Sequence, residues 1–410
     1  MKLFKRENYL SKIRSFYNSN DLIKVITGIR RCGKSSILEM IKEELLENEI
    51  KSEQLISINL DKKEYKNIKT AEKLEEIIDS LSKGIKETKY LFIDEIQNVD
   101  GFEELINAYR EEGDYSVFIT GSNSYLLSGE LVTKLTGRYI EFEIYTLTFE
   151  EYVQMKKFYN IEINPNLSIE LNNYILEGGF PRTVLFNNIE DKRTYVMALV
   201  SEIFEKDIKK RVKITKVESF EIVRNYIINN FGMTTSLNNI LKGLNSSGLT
   251  ISKTTLTRYI RCLVDAKILY ECDRFDMKSK KTLSGKKKYY LGDLSLAYIS
   301  NPDSRINYGP ILENIIYMYA RSKKYTVSIG RIGKLECDFI FKDSQLNYSY
   351  VQVAYSILAS KKTEDREYAP LEMIRDNYPK YVITTDYLLQ KRNGIEHINL
   401  MEHLKDGKLF

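Results

Sequence analysis

From Asp21 to about Tyr145 short apolar runs alternate with stretches whose apolar residues recur every three or four positions. In order they read LIKVIT, SSILEMIKEELLEN, LISINL, AEKLEEIIDSL, YLFIDEI, FEELINAYREE, YSVFITGS and YLLSGELVTKL. A run apolar at nearly every position suits a strand covered on both faces, and a 3.6-residue period suits a helix buried on one. The alternation predicts an α/β fold with a parallel sheet covered by helices. From about Thr148 to Ile214 the spacing turns helical and is broken at GGFPRTVL by Gly178, Gly179 and Pro181, the pattern of a helical lid. Val217 to Ser300 reads as helices followed by two strands, YECDRFD and KKYYLGD, joined by a lysine-rich turn. From Tyr308 the helix ILENIIYMYARSKK leads into strands TVSIG, ECDFIF and YVQVAYSI, then a helix and the strand KYVITTD. The expected division is residues 1–147, 148–215, 216–300 and 301–410.

Composition narrows the function classes. The chain has 410 residues, enough for two or three domains, and its 43% apolar and 29% charged residues are those of a soluble globular protein. Lys and Arg exceed Asp and Glu by only 5, too few for a nucleic-acid coat unless basic residues cluster. The four cysteines (Cys32, Cys262, Cys272, Cys337) form no C-x-x-C pair, and the two histidines, His397 and His403, lie near the end. These counts exclude a disulfide framework, a structural zinc site and a Ser-His-Asp triad elsewhere in the chain. No apolar run approaches the length of a membrane span, so a cytoplasmic location without membrane contact is expected.

The strongest chemical signal is Gly28-Ile29-Arg30-Arg31-Cys32-Gly33-Lys34-Ser35, followed by Ser36, which fits G-x-x-x-x-G-K-[ST] between an apolar strand and an amphipathic helix. Glycines let the backbone wrap a phosphate, the N–H groups opening the helix point at it, Lys34 adds a charge, and the Ser35 hydroxyl can ligate Mg²⁺. Tyr90-Leu-Phe-Ile-Asp94-Glu95 is an apolar strand ending in two acids. Asp94 suits a metal held through water and Glu95 a base for the attacking water. Phe118-Ile-Thr-Gly-Ser122-Asn123 is a strand ending in small polar residues, with Asn123 as a candidate sensor of the γ-phosphate. Arg138, after Gly137, suits either an arginine finger given to a neighbouring subunit or a surface ion pair. The substrates and cofactors expected are therefore ATP, ADP and Mg²⁺.

The chain resembles the bacterial and archaeal ATPases of the AAA+ superfamily that carry a C-terminal restriction-endonuclease-like domain of unknown function. The resemblance rests on RENYL, VITGIRRCGKSS, YLFIDEIQN, FITGSNSYLLS, LTGRYIEFEIYTLTFEEY, EGGFPRTVL, YYLGDLSL and the block from LENIIYMYARSKKYTV to YVQVAYSI, in that order over nearly the whole chain. It implies an AAA+ type sheet, places Arg6 and Tyr9 near the adenine, and makes Arg138 the finger of a homo-oligomer.

Two later modules carry further expectations. Ser236 to Leu269 reads as helix, turn and helix, with Leu256, Ile260 and Leu263 on a core stripe and Thr254, Arg258 and Arg261 on another face. With Lys253 at the helix start and Lys278, Lys280, Lys281, Lys286, Lys287 and Lys288 expected at a basic hairpin tip, the layout is that of a winged helix contacting DNA, or of one that only packs. The C-terminal block resembles a PD-(D/E)xK nuclease, with Asp338 in the first acid's place and Glu313 as an auxiliary acid. The expected E-x-K reads Gln352-Val353-Ala354, which removes a carboxylate and an ammonium and predicts an inactive site. The function expected is a Mg²⁺-dependent ATPase coupling nucleotide state to these two modules, acting on DNA. The alternatives are a slow nucleotide switch in a signalling or defence assembly and an ATP-regulated nuclease in which Lys361 or Lys362 replaces the missing base.

Overall fold

The computed structural model describes residues 2–121, 135–209, 214, 216–299 and 307–410. The chain divides into two compact units, Met1–Tyr145 with Lys206–Arg211, and Thr146–Glu205 with Val212–Phe410.

The first unit is built on five parallel strands: β1 (Ile23–Thr27), β2 (Leu55–Asn59), β3 (Lys89–Asp94), β4 (Tyr115–Thr120) and β5 (Tyr139–Glu143), in the order β2-β3-β4-β1-β5. Strands β1 and β4 are buried along their whole length, as their unbroken apolar runs require. Helices α1 (Glu7–Ile13), α2 (Lys34–Glu47), α3 (Ala71–Ser82) and α4 (Phe102–Glu112) accompany the sheet. One core gathers Ile56, Ile58, Leu74, Ile78, Leu91, Ile93, Leu105, Ile106 and Ile119, the inward residues of sheet and helices. Because parallel strands share one direction, β1, β3 and β4 all end at the same edge, and that edge positions the site.

The second unit begins with helices α5 (Phe149–Phe158), α6 (Leu167–Glu177) and α7 (Ile189–Ile203). Thr148 caps α5 reciprocally with Glu151. Then come α8 (Val217–Asn229), α9 (Leu237–Ser246), α10 (Lys253–Asp265) and the antiparallel pair β6 (Leu269–Asp276) and β7 (Lys281–Leu291). Thr235, just before α9, makes two backbone hydrogen bonds of 2.9 Å with Lys287 on β7. After α11 (Ser295–Ile299) follow α12 (Tyr308–Ser322), β8 (Thr326–Ile332), β9 (Leu335–Lys342), β10 (Tyr348–Val353), α13 (Lys361–Glu372), β11 (Lys380–Thr384), β12 (Lys391–Arg392), β13 (Ile395–Asn399) and α14 (Leu400–Lys405).

These strands form one eight-stranded mixed sheet, ordered β12-β13-β11-β10-β9-β8-β6-β7. The β6–β7 hairpin, read from sequence as a separate wing, joins it because Arg274–Asp276 pair in parallel with Ile329–Arg331. A boundary at residue 300 therefore runs through a continuous sheet.

Phe410 stacks on His403 at 4.5 Å and touches the rings of Phe341, Tyr325 and Tyr319. Burial, and then the nearby Lys408, push the His403 imidazole down to about 4. The unfolded chain, with the ordinary value near 6.5, binds more protons between these limits, so stability falls as pH drops from about 6.5 to about 4. The loss is about 3 kcal/mol at the low end. Replacing His403 by Phe should flatten this dependence, read by urea unfolding at pH 7 and pH 4.5; unchanged acid sensitivity would assign the loss to other groups.

Candidate nucleotide site and a lysine-centred carboxylate cluster

Strand β1 ends at Thr27 and the chain turns at Gly28, whose φ is +142°. A Cβ there would sit 2.2 Å from the Ile144 carbonyl oxygen and 2.7 Å from the Cys32 sulfur, so only glycine lets the loop pass the chain that follows β5. Gly33, at φ +109°, ends the loop and opens α2, leaving the exposed Ser35 and half-buried Ser36 in its first turn. Three cations brace the loop. Lys34 is buried and its ammonium donates back to the carbonyls of Gly28 (2.9 Å) and Ile29 (3.3 Å). Arg30 makes a two-pronged, largely buried pair with Asp207 at 2.8 and 2.9 Å. Arg6 donates to the carbonyls of Cys32 (3.0 Å) and Tyr145 (2.9 Å) and lies over the Tyr9 ring, whose hydroxyl accepts from the Tyr145 N–H. Arg6 and Tyr9, which the resemblance placed near the adenine, are buried beside the loop and directed at backbone carbonyl and amide groups. Ile29 and Cys32 are buried and Arg31 is exposed in a left-handed conformation; burial raises the Cys32 thiol above its ordinary range, which leaves it inert.

Asp94 ends β3 at the same edge and is 5% exposed. Its carboxylate accepts from the Asn59 amide at 2.8 Å and from the Thr120 hydroxyl, which come from the ends of β2 and β4. Glu95 follows in a left-handed conformation, φ +60°, its N–H donating to Thr120 Oγ1 at 3.1 Å and its carboxylate accepting from Gln97. Sequence reasoning missed Asn59, Thr120 and Asp207. A search for polar residues at the C-terminal end of every strand would have found the first two; nothing local marks Asp207. Asn123 lies outside the described residues.

Arg138 is exposed and donates to Asn107 Oδ1 at 3.3 Å. It precedes β5, whose Tyr139 is in register with Ile23, the first residue of β1. Arg138 is therefore at the opposite sheet edge from its own phosphate loop, about 13 Å away along the strand, and cannot serve it in cis.

In the second unit Lys253, Arg258 and Arg261 are exposed on α10 while Leu256, Ile260 and Leu263 are buried, as the spacing predicted. Arg261 lies 3.9 Å from Asp265, and Lys286 is exposed. The hairpin lysines need correction. Residues 277–280 make the turn, so Lys278 and Lys280 are at the tip with Lys281 beside it, whereas Lys286, Lys287 and Lys288 belong to or flank the paired part of β7. Lys287 pairs with Glu271 (2.8 Å) and Asp273 (3.5 Å). Lys288 points inward and is 5% exposed, so it is unavailable to DNA.

Its ammonium lies 2.8 Å from Glu313 Oε2, 3.4 Å from Glu336 Oε1 and 3.8 Å from Asp338 Oδ1. Burial pulls the Lys288 ammonium down, but Glu313, Asp338 and Glu336 outweigh it and hold it above the usual lysine range. Burial, and then Glu313, push Asp338 well up, against the pull of Lys288. Asp338 also accepts from the Val353 N–H (2.9 Å), while Gln352 accepts from the Asp338 N–H (3.3 Å) and donates to Glu367 (3.0 Å). Ala354 is buried and offers only a methyl. The structure does bring Glu313, Asp338 and Gln352 together, with Lys288 in place of the two lysines expected as substitutes. Lys361 is exposed and pairs with Glu364 at 2.8 Å, and Lys362 is exposed. Among the described residues no three His, Cys, Asp or Glu stand close enough to hold a metal, and no helix is long and apolar enough to cross a membrane.

A family profile described as an AAA domain matches residues 20–153, the sheet that carries the phosphate loop and Asp94. A Haemophilus influenzae protein described as uncharacterized is 33% identical over 98% of each chain, and an uncharacterized Methanocaldococcus jannaschii protein is 30% identical over 88% of this chain and 82% of its own. The chain belongs to their family, one with an AAA domain. The AAA domain's fold recurs in a solved structure, the Walker-type ATPase of Pyrococcus abyssi, which aligns with TM-score 0.52 at 17% identity over 73% of this chain and 96% of that one. A second profile, a domain of unknown function (DUF8612), matches residues 168–303, from the helices after the AAA domain through the β6–β7 hairpin and α11.

Proposed function

We propose that this protein binds and hydrolyses ATP with Mg²⁺, and that nucleotide state governs the second unit. One observation carries the reading: the loop after β1, Asp94 at the end of β3 and Thr120 at the end of β4 meet at one sheet edge, inside the segment matched as an AAA domain. The residues fit the ligand. The loop ends at Gly33 where α2 opens, and Ser35 and Asp94 offer the hard oxygens that Mg²⁺ prefers. Bound Mg²⁺ would neutralise phosphate charge. Lys34, now spent on loop carbonyls, would turn to the phosphates, the α2 N–H groups would hold them, and Glu95 would take the proton of the attacking water. Arg138, exposed and far from its own loop, would act in trans in a homo-oligomer, with Asn123 as sensor.

The order helix, bridging residue, helix, helix, hairpin over Val217–Leu291 supports a winged-helix reading, with DNA as partner through Lys253, Arg258, Arg261 and Lys286. Helix α12, the β8–β10 meander, α13 and β11 support a nuclease-like module that does not cut. Its acids, Asp338 buried and Glu313 and Glu336 half-buried, are already paired with an ammonium. The chain would work in the cytoplasm.

The test is Lys34→Ala, followed by calorimetry with Mg²⁺-ATP. Affinity should weaken about 100-fold, the equivalent of ~3 kcal/mol for a lost ammonium–phosphate contact, with the melting temperature kept within a few degrees. Affinity within threefold of the parent would remove the reading.

A further inference from the structure

The cluster at Glu313, Glu336 and Asp338 has an unusual occupant. The three carboxylates come from helix α12 and strand β9, 25 residues apart in sequence at most, and the cation among them comes from β7. A lysine side chain this deeply buried needs compensating charge, and burying several carboxylates together needs a cation. The geometry meets both needs at one point. Glu313 Oε2 accepts from the Lys288 ammonium and from the Tyr290 hydroxyl, each at 2.8 Å. Glu336 is held at Oε2 by Arg274 at 3.3 Å, and the Thr234 hydroxyl donates at 3.1 Å to Oε1, the oxygen that faces Lys288. Asp338 is fixed by the Val353 N–H.

We propose that Lys288 is a built-in cation occupying the position of a divalent metal ion in this cluster, so that the native site holds no metal and removal of the ammonium turns it into one that does. The spacing argues for it. Oxygens 2.8–3.8 Å from the nitrogen suit an ammonium, whereas Mg²⁺ or Mn²⁺ draws its ligands to about 2.0–2.2 Å. The ion and the ammonium cannot share the centre. With the ammonium gone, Glu313 and Asp338 keep their supports from Tyr290 and Val353 but lose the cation between them. Gln352 lies beside Asp338 as a further oxygen. The inference rests on these side chains and stands apart from the ATPase reading.

The experiment is Mn²⁺ titration of the full chain without nucleotide, by calorimetry and by electron paramagnetic resonance of free Mn²⁺. Native protein should show no site lost on Asp338→Asn. Lys288→Ala should gain one site at least 30-fold tighter than anything in the native protein, and adding Asp338→Asn to it should abolish that site. If Lys288→Ala does not fold, Lys288→Gln keeps the length without the charge. Its melting temperature should rise by several degrees in 1 mM Mn²⁺ while the native protein moves by less than one. A native Mn²⁺ site that vanishes in Asp338→Asn would overturn the proposal, as would a folded Lys288 variant with no gain in Mn²⁺ binding or no Mn²⁺-dependent rise in melting temperature.

Discussion

Glu95→Gln should lower ATP turnover by about 10²-fold or more while leaving ATP affinity within a few-fold of the parent. The two outcomes separate because Glu95 and its neighbour Asp94 do different work. Asp94 is buried and held by Asn59 and Thr120, the setting of a fixed ligand, whereas Glu95 is half-exposed at the edge. Its direction is set by backbone: the left-handed conformation and the N–H bond to Thr120 turn the side chain away from the line of β3. Gln has the same shape and the same cost at positive φ, and it can still meet Gln97 after an amide flip, so the fold should not respond. What it loses is the ability to accept a proton. Single-turnover phosphate release beside calorimetric affinity reads both quantities. Parallel loss of affinity and rate would make Glu95 a binding group and move the base elsewhere.

Parts of this architecture were legible because their causes are local. A loop that must wrap a phosphate and then open a helix writes glycines and a lysine into eight consecutive residues, and an unbroken apolar run announces a strand buried on both faces. The α10 faces were legible for the same reason, since Leu256, Ile260 and Leu263 repeat at the helical period. The cluster at Lys288 was not. Lys286, Lys287 and Lys288 are three identical residues in a row, so no polarity difference marks the inward one. That choice depends on the pairing of Lys288 with Cys272 and on acids from β9, about 50 residues later. The Arg30–Asp207 pair was hidden likewise, because Asp207 sits in a helical stretch whose return to the first unit no periodicity records.

Two of the strings behind the family resemblance, EGGFP and LGDLS, carry no chemistry that sequence alone can name, and the structure supplies it. Asp293, 3% exposed, accepts from the Gly179 N–H at 2.8 Å and from the Ser295 N–H at 3.0 Å, and also from the Ser295 hydroxyl. Gly178 closes α6 at φ +76° and ψ −172°, a region open in practice to glycine alone. A Cβ on Gly178 would stand 2.1 Å from Asp293 Oδ1 and 2.7 Å from Ser295 Cβ. Gly178→Ala should therefore combine backbone strain with overpacking, about 3 kcal/mol or more together. For a unit of this size that is a fall in melting temperature of about 6–12 °C, read by calorimetry. The two costs can be told apart. Asp293→Ala removes one clash but leaves the Gly179 and Ser295 N–H groups without their acceptor, so it should destabilise by itself. Added to Gly178→Ala it should cost less than the sum of the singles, because the Cβ no longer meets the carboxylate. Strict additivity would show that the strain at φ +76° and the contact with Ser295 account for the Gly178→Ala effect, and that Asp293 yields freely to the new methyl.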